Sequence, residues 1–218
     1  MLIRYNIYCY LFIYLFIVAS FFSRAYAQQH NKIQYDKTFR FSEGIYMTFD
    51  EFKNNEPSIK EYKVVRGSQF SDQISLEYDC YDSTKNRMTK CLVKDCWGYS
   101  QNNSVYIARG YGGYFFRLHI IGALIHYFAI ETYLEPVYDY YSGYYPTHRT
   151  QRRTQSKEFV ILFETGERFE FNYQNFSRFL GKNDPELYEE LQNTKRKRKM
   201  IYHFLIKYNE KKPIYFPE

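Results

Sequence analysis

The chain has 218 residues, with 30 Lys or Arg against 24 Asp or Glu, which gives a formal net charge of +6. The length is enough for one domain with a sizeable core or for two small ones, and we favour one domain. The 26 Tyr and 20 Phe are flat side chains that suit strands better than long helices, so the composition favours β-structure.

The first 27 residues have the order of a secretory signal peptide. Arg4 precedes an apolar run from Ile7 to Phe22, and the small residues Ala25 and Ala27 follow it. We predict cleavage after Ala27, and hence an exported protein with no stable membrane span. A retained membrane helix is the alternative, but the run reaches only about 24 Å, whereas a bilayer core is about 30 Å thick.

Export predicts that the cysteines of the mature chain form a disulfide, because disulfides persist in an oxidising compartment. A turn-forming segment lies between Cys80 and Cys91, so a hairpin can bring these two together, and Cys80 with Cys96 is the rival pairing. A zinc site is disfavoured because three thiols with no nearby His are a poor ligand set. We predict no metal and no cofactor.

The first part of the mature chain predicts short elements. Residues 28–37 are polar and predict a loose arm, whereas residues 44–47 predict a strand. Thr48 and Glu51 have the spacing of a capping box, which predicts a short helix from Phe49 to about Asn54. Further strands are predicted at residues 74–80 and 88–93, and a hairpin turns at residues 101–103.

The hydrophobic centre, residues 114–133, predicts two antiparallel strands that meet near Gly122, with a buried helix as the alternative. His119 and His126 lie in it. Their separation fits no short metal-ligand motif, so we expect partly buried structural histidines.

Residues 135–157 are Tyr-rich and predict a long loop inserted into the domain. Tyrosines in a mobile loop can stack on sugar or peptide, while the alternative, which we favour, is a merely solvated insertion. The candidate ligand-binding residues are the insertion tyrosines and one aromatic of the core or a cleft, namely Tyr138, Tyr140, Tyr141, Tyr144, Tyr145 and Trp97.

The last third predicts a hairpin around Thr165 and Gly166, followed by helices. A short helix from residue 173 is expected to end at Gly181, and a second to begin at Pro185. The final helix carries an apolar stripe that would dock on the sheet, and the basic run 195–199 is predicted to lie on it. In an exported protein we expect this basic run to be a solvated turn or a contact for anionic lipid or glycan, and we predict no nucleic-acid partner.

Five segments carry a family resemblance: residues 44–57, 97–107, 165–166, 183–188 and 207–213. On these segments the chain resembles a family of exported Bacteroidetes proteins of unknown function. The resemblance implies a shared architecture and export to the periplasm or cell surface of a bacterium. It implies no activity, so no catalytic residue is assigned from it.

The sequence therefore predicts a signal peptide, 1–27, and a single α+β domain, 28–218. The domain is a small antiparallel sheet of hairpins with a short N-terminal helix and C-terminal helices packed on it. Because no catalytic motif is present, we expect a non-catalytic binding or accessory module of the cell envelope, with an envelope protein or glycan as partner. The alternative is an exported hydrolase that uses a carboxylate pair.

Overall fold

The computed structural model describes residues 32–66, 73–108, 113–138 and 148–217, so the predicted signal peptide lies outside the described residues. The chain divides into two compact units. In one of them, strand β1 (Lys32–Gln34) pairs antiparallel with β12 (Tyr215–Pro217). The prediction of a loose arm was therefore wrong at residues 32–34, because the partner that orders them lies at the other end of the chain.

The second unit, Tyr35–Ile214, contains the other strands and all four α-helices of the described residues. Its strands are β2 (Gly44–Tyr46), β3 (Lys63–Arg66), β4 (Ile74–Asp82), β5 (Arg87–Leu92), β6 (Gly98–Gln101), β7 (Ser104–Ala108), β8 (Phe115–Ile120), β9 (Leu124–Tyr138), β10 (His148–Leu162) and β11 (Arg168–Glu170). Its helices are α1 (Phe49–Lys53), α2 (Tyr173–Asn183), α3 (Pro185–Asn193) and α4 (Ile201–Lys211).

The fold is α+β and mostly β, as predicted. Seven strands form one antiparallel sheet in the order β11-β10-β9-β8-β7-β6-β2, and a three-stranded sheet has the order β3-β4-β5. The helices cluster towards the C-terminus. Within the described part of the chain, no helix has both the length and the apolarity that crossing a membrane requires.

Local turn chemistry forms the predicted hairpins. Asn102 and Asn103 connect β6 to β7 with φ of 50° and 57°, a conformation that Asn tolerates better than most residues. Gly166 has φ of 76° in the turn between β10 and β11. The side chain of Asp82 accepts hydrogen bonds from the backbone of Thr84 and Lys85, which fixes the turn between β4 and β5.

The Tyr-rich insertion is where the sequence prediction fails most clearly. Instead of a loop from 135 to 157, β9 continues to Tyr138 and β10 begins at His148, and the two strands pair without a break down to Leu124 and Leu162. The polar, charged composition resembles that of a loop. Cross-strand pairing nevertheless satisfies the backbone groups that the two strands turn towards each other, and a polar strand is stable where its side chains meet partners across the ladder.

The helices begin where their caps predict. Thr48 accepts a hydrogen bond from the backbone N–H of Glu51, and the Glu51 carboxylate in turn accepts one from the backbone N–H of Met47. Gly181, however, does not end α2, which continues for two more residues to Asn183. Asp184 then caps α3, and Pro185 occupies its first position.

The basic run was predicted to lie on the final helix, and this is wrong. Residues 197–199 form a single 3₁₀ turn between α3 and α4, and Arg196 before it has φ of 59°. A left-handed residue interrupts helical hydrogen bonding, so the run lies in a turn between α3 and α4. The alternatives of a solvated turn and a contact for anionic lipid or glycan stay predictions.

The helices cover one face of the seven-stranded sheet. Side chains of β9 and β10, including Leu124 and Val160, share a core with α2, α3 and α4. The predicted stripe of α4 is buried there, through Ile201, Phe204, Leu205 and Tyr208. Alternation along β9 turns Ile125 and Tyr127, both fully buried, towards the opposite face.

Candidate functional site

The tyrosines proposed as a binding surface lie at the tip of the β9–β10 hairpin. Tyr138 is the last residue of β9. The other four, Tyr140, Tyr141, Tyr144 and Tyr145, lie outside the described residues. Their role in binding stays a prediction.

Trp97 lies in an aromatic cluster that holds α1. Its ring stacks on Phe52 with a centroid distance of 4.5 Å, and it also contacts Tyr46 and Phe49. Its backbone N–H donates to the carbonyl of Tyr46 at 2.9 Å. These contacts give Trp97 a structural role in the core.

The structure joins Cys80 to Cys91 across β4 and β5, with Cα atoms 5.8 Å apart. This is the pairing that the predicted hairpin favoured over Cys80 with Cys96. Cys96 is a free thiol in a cleft of about 580 Å³ that β4, β5 and β8 line. Burial and the nearby Asp95 carboxylate raise the pKa of Cys96 to about 11. At neutral pH it is a thiol and not a thiolate, so it is a poor nucleophile.

One cluster of titratable groups lies between the sheet and α4, and sequence reasoning missed it. His126 of β9 contacts the Glu158 carboxylate of β10, with Nε2 and Oε2 3.1 Å apart. Tyr202 of α4 donates its hydroxyl to the same Oε2, and this hydroxyl lies 3.3 Å from His126 Nε2. The His126 side chain is only 1% exposed, and that of Glu158 is 32% exposed.

The environment keeps two members of this cluster neutral. Burial lowers the pKa of His126, and it outweighs the Glu158 carboxylate, which raises it. Burial and the same carboxylate both raise the pKa of Tyr202. The imidazole is neutral at pH 7 and the phenol is protonated, so neither partner neutralises the charge of Glu158.

This cluster is better suited to holding α4 on the sheet than to catalysis. The imidazole has almost no exposed surface, so a substrate atom cannot reach it for proton transfer. Among the described residues, no group of His, Cys, Asp and Glu side chains is arranged to hold a metal ion. His119 is exposed, contrary to the prediction of partial burial, and its ring contacts Phe128.

The outer part of the β9–β10 hairpin forms an exposed surface. Residues 129–138 pair with residues 148–157, and we call these two segments the ribbon. Among the described residues no third strand pairs with it, because β8 pairs with β9 no further than Tyr127 and β11 pairs with β10 no further than Phe159. Ten residue pairs therefore extend as a two-stranded ribbon of about 33 Å.

One face of the ribbon satisfies its own charges, and we call it the charged face. Arg153 contacts the Glu135 carboxylate at 2.8 Å, and Lys157 contacts the Glu131 carboxylate at 2.8 Å. Tyr133 lies on the same face between these ion pairs. Both pairs are diagonal neighbours across the ladder, and such a surface is well solvated.

The opposite face, which we call the apolar face, exposes large hydrophobic side chains. Phe128 at the base is 37% exposed, Ile130 is 54% exposed and Leu134 is 65% exposed. Strand alternation places them on the same side as Leu124 and His126, the side that the helices cover nearer the core. The apolar face thus continues the helix-covered face of the sheet beyond the last helix.

Sequence reasoning missed this face because it ended the strand at about residue 133 and placed the β10 partners of Ile130 and Leu134, Ser156 and Arg152, in a loop. A signal was present, since the pairs Glu131–Lys157 and Glu135–Arg153 are nested symmetrically around one turn. This nesting is typical of an antiparallel ribbon with diagonal charge pairs. Comparisons of the chain with known protein families, with curated proteins and with solved structures find no match.

Proposed function

We propose that this chain is a non-catalytic binding module of the bacterial cell envelope, and that the apolar face of the ribbon is its binding surface. The observation that carries this proposal is the exposure of Phe128, Ile130 and Leu134 on one face of a ribbon whose other face forms its own ion pairs. Several large apolar side chains exposed on one face of an element are typical of interaction surfaces.

The energetics of the ribbon support the same function. An isolated two-stranded hairpin is at best marginally stable in water, because it buries too little apolar surface to offset its conformational entropy. A third strand or a packed layer on one face supplies that burial. A partner on the apolar face would therefore stabilise the ribbon as it binds.

Export is part of the proposal. The leader at residues 1–27 has the signal-peptide pattern, and the disulfide between Cys80 and Cys91 suits an oxidising compartment. The resemblance to exported Bacteroidetes proteins supports the same placement in the periplasm or at the cell surface. We expect the mature protein to begin at Gln28 in mass spectrometry, and a start at Met1 would contradict cleavage.

Photocrosslinking in the producing bacterium tests the binding surface. A benzophenone amino acid replaces Leu134 on the apolar face or, as the matched control, Gln155 on the charged face, and both positions are exposed. We expect a defined crosslinked species from position 134 and none from position 155. Equal crosslinking at both positions, or none at position 134, would contradict the proposal.

A further inference from the structure

The two outer edges of the ribbon differ in chemistry. On the β10 edge, residues 150–156 are all exposed, include Arg152 and Arg153, and contain no aliphatic side chain. On the β9 edge, Ile130 and Leu134 are exposed, and no Lys or Arg occurs from residue 129 to residue 138. Basic side chains on an edge strand keep other strands from pairing with it. The β10 edge has this protection and the β9 edge lacks it.

The register of β9 shows which of its backbone groups point towards its free edge. In an antiparallel ladder, alternate residues turn both their N–H and their C=O to the same side. Both backbone groups of Leu124 point away from β10, because they bond to Asn209. Since β9 pairs with β10 without a break, the backbone groups of Ile130, Thr132 and Leu134 point to the same edge as those of Leu124.

These three residues define a segment of limited length, which we call the open edge. At its inner end, β8 occupies the same edge of β9 as far as Tyr127. At its outer end, Pro136 has no backbone N–H to offer. Among the described residues, none pairs with the open edge or hydrogen-bonds to it. Three N–H and three C=O groups are therefore available to a strand from outside.

We propose that the open edge binds an extended segment of a partner protein, which adds a third, antiparallel strand beside β9; this rests on the proposed function of the ribbon. Each outward-facing residue exchanges two hydrogen bonds with the residue opposite it, so the strand makes up to six in all. The two-stranded ribbon becomes a three-stranded sheet with an apolar face. A sheet of this size is stable where a lone hairpin is marginal.

The side chains beside the open edge define the sequence that fits it. Partner residues opposite Ile130 and Leu134 lie on the apolar face next to aliphatic side chains, so apolar residues are favoured there. The partner residue opposite Tyr133 lies on the charged face, diagonal to Glu131 and Glu135, so Lys or Arg is favoured there. The expected pattern is two apolar residues four positions apart, with a basic residue directly after the first.

A second copy of the chain does not fit the open edge. Two open edges would pair about a two-fold axis at Thr132, which places Pro136 of the second copy opposite Phe128. The hairpin tip beyond Pro136 would then run into β8, which occupies this edge at Tyr127 and His126. The partner segment is therefore one that ends or turns away at this point, as a chain terminus or a loop does.

Second-site variants of the crosslinking protein test the added strand. The benzophenone amino acid stays at position 134, and the yield of crosslinked partner is measured in the producing bacterium. Thr132→Pro removes the central outward N–H of the open edge, and Thr154→Pro, directly opposite, removes one from the β10 edge. We expect Thr132→Pro to lower the yield at least about fivefold and Thr154→Pro to leave it unchanged.

A second pair of variants distinguishes an added strand from a layer that covers the whole apolar face. Ile130→Lys places a charge beside an apolar residue of the partner strand, and Ser156→Lys places the same charge on the same face, directly opposite on β10. An added strand is sensitive to the first variant alone, whereas a helix or lipid layer over the face is sensitive to both. Circular dichroism and melting temperatures identify any variant that does not fold.

The outcomes separate this inference from the proposed function. A crosslink that is lost with Thr132→Pro and Ile130→Lys but not with their controls, and that joins a segment with the expected pattern, supports both. A crosslink at position 134 that responds equally to each variant and its control, or joins a segment without this pattern, overturns the added strand and leaves the binding surface in place. No crosslink at position 134 in the parent protein overturns both.

Discussion

Asn209 of α4 is predicted to be among the most sensitive polar residues of the domain. Its side-chain amide replaces a strand at the edge of β9, where the ladder with β8 ends at the pairing of Ile120 with His126. The backbone N–H of Leu124 donates to Asn209 Oδ1 at 2.8 Å, and Asn209 Nδ2 donates to the Leu124 carbonyl at 2.9 Å. Leu124 is fully buried, so water cannot replace these bonds.

Asn209→Ala leaves both backbone groups of Leu124 without partners. Each buried unsatisfied group costs about 1–3 kcal/mol, so the free energy of unfolding should fall by about 2–6 kcal/mol. For a domain of this size, at about 2–4 °C per kcal/mol, the melting temperature should fall by about 4–24 °C. Urea unfolding and thermal melts measure both quantities. Glu210→Ala, at the exposed neighbouring position, is the matched control and should change stability by less than about 0.5 kcal/mol.

Gly122 supplies a second test of the same contact. A Cβ at this position would lie 2.5 Å from Asn209 Cγ, so Gly122→Ala displaces the amide. In the Asn209→Ala background there is no amide to displace, and we expect the two costs to be non-additive by about 1 kcal/mol or more. Additive costs, or a stable Asn209→Ala variant, would show that the amide does not anchor α4 to the sheet.

Three further perturbations follow from the described contacts. Burial lowers the pKa of His126, so its contribution to stability is present above about pH 6.5 and is lost as the pH falls below that value. In urea titrations, His126→Gln should therefore lose less stability than the wild type between pH 7.5 and pH 5. Reduction or replacement of Cys80 and Cys91 should cost about 2–4 kcal/mol, and an unchanged urea midpoint under reductant would contradict this. Burial raises the pKa of Asp184, but its hydrogen bonds, first that from Lys211, lower it by more, so the net pKa is lowered. Asp184→Ala should therefore cost about 1–2 kcal/mol of stability at pH 7 and progressively less below about pH 4, which melting temperatures across this pH range measure.

The elements that the sequence predicts correctly are those with local causes. Two Asn residues with positive φ form the turn at 102–103, and Thr48 with Glu51 caps α1 through contacts within four residues. The apolar stripe of α4 needs only helical periodicity. Such signals are complete within a short window of sequence, and no tertiary partner is needed to interpret them.

The candidate site depends on strand register, which the sequence does not show. His126 and Glu158 are 32 residues apart, and they meet because β9 and β10 pair in one particular register. Gly181 illustrates the converse, since glycine often ends a helix, but here Asp184 and Pro185 end it later. The first case depends on long-range strand pairing, whereas in the second a stop signal a few residues further along the chain prevails over glycine.

The uncovered apolar face follows from a mismatch of lengths. The eleven residues of α4 rise about 16 Å, whereas the fifteen residues of β9 extend about 50 Å. The helix layer therefore covers only the inner part of the hairpin, and Phe128 lies where that cover ends. A chain that needed the outer part only as a connector would need no large aliphatic side chains on it. Ile130 and Leu134 instead keep the apolar alternation beyond the last helix, which is the pattern expected of a layer that a partner completes.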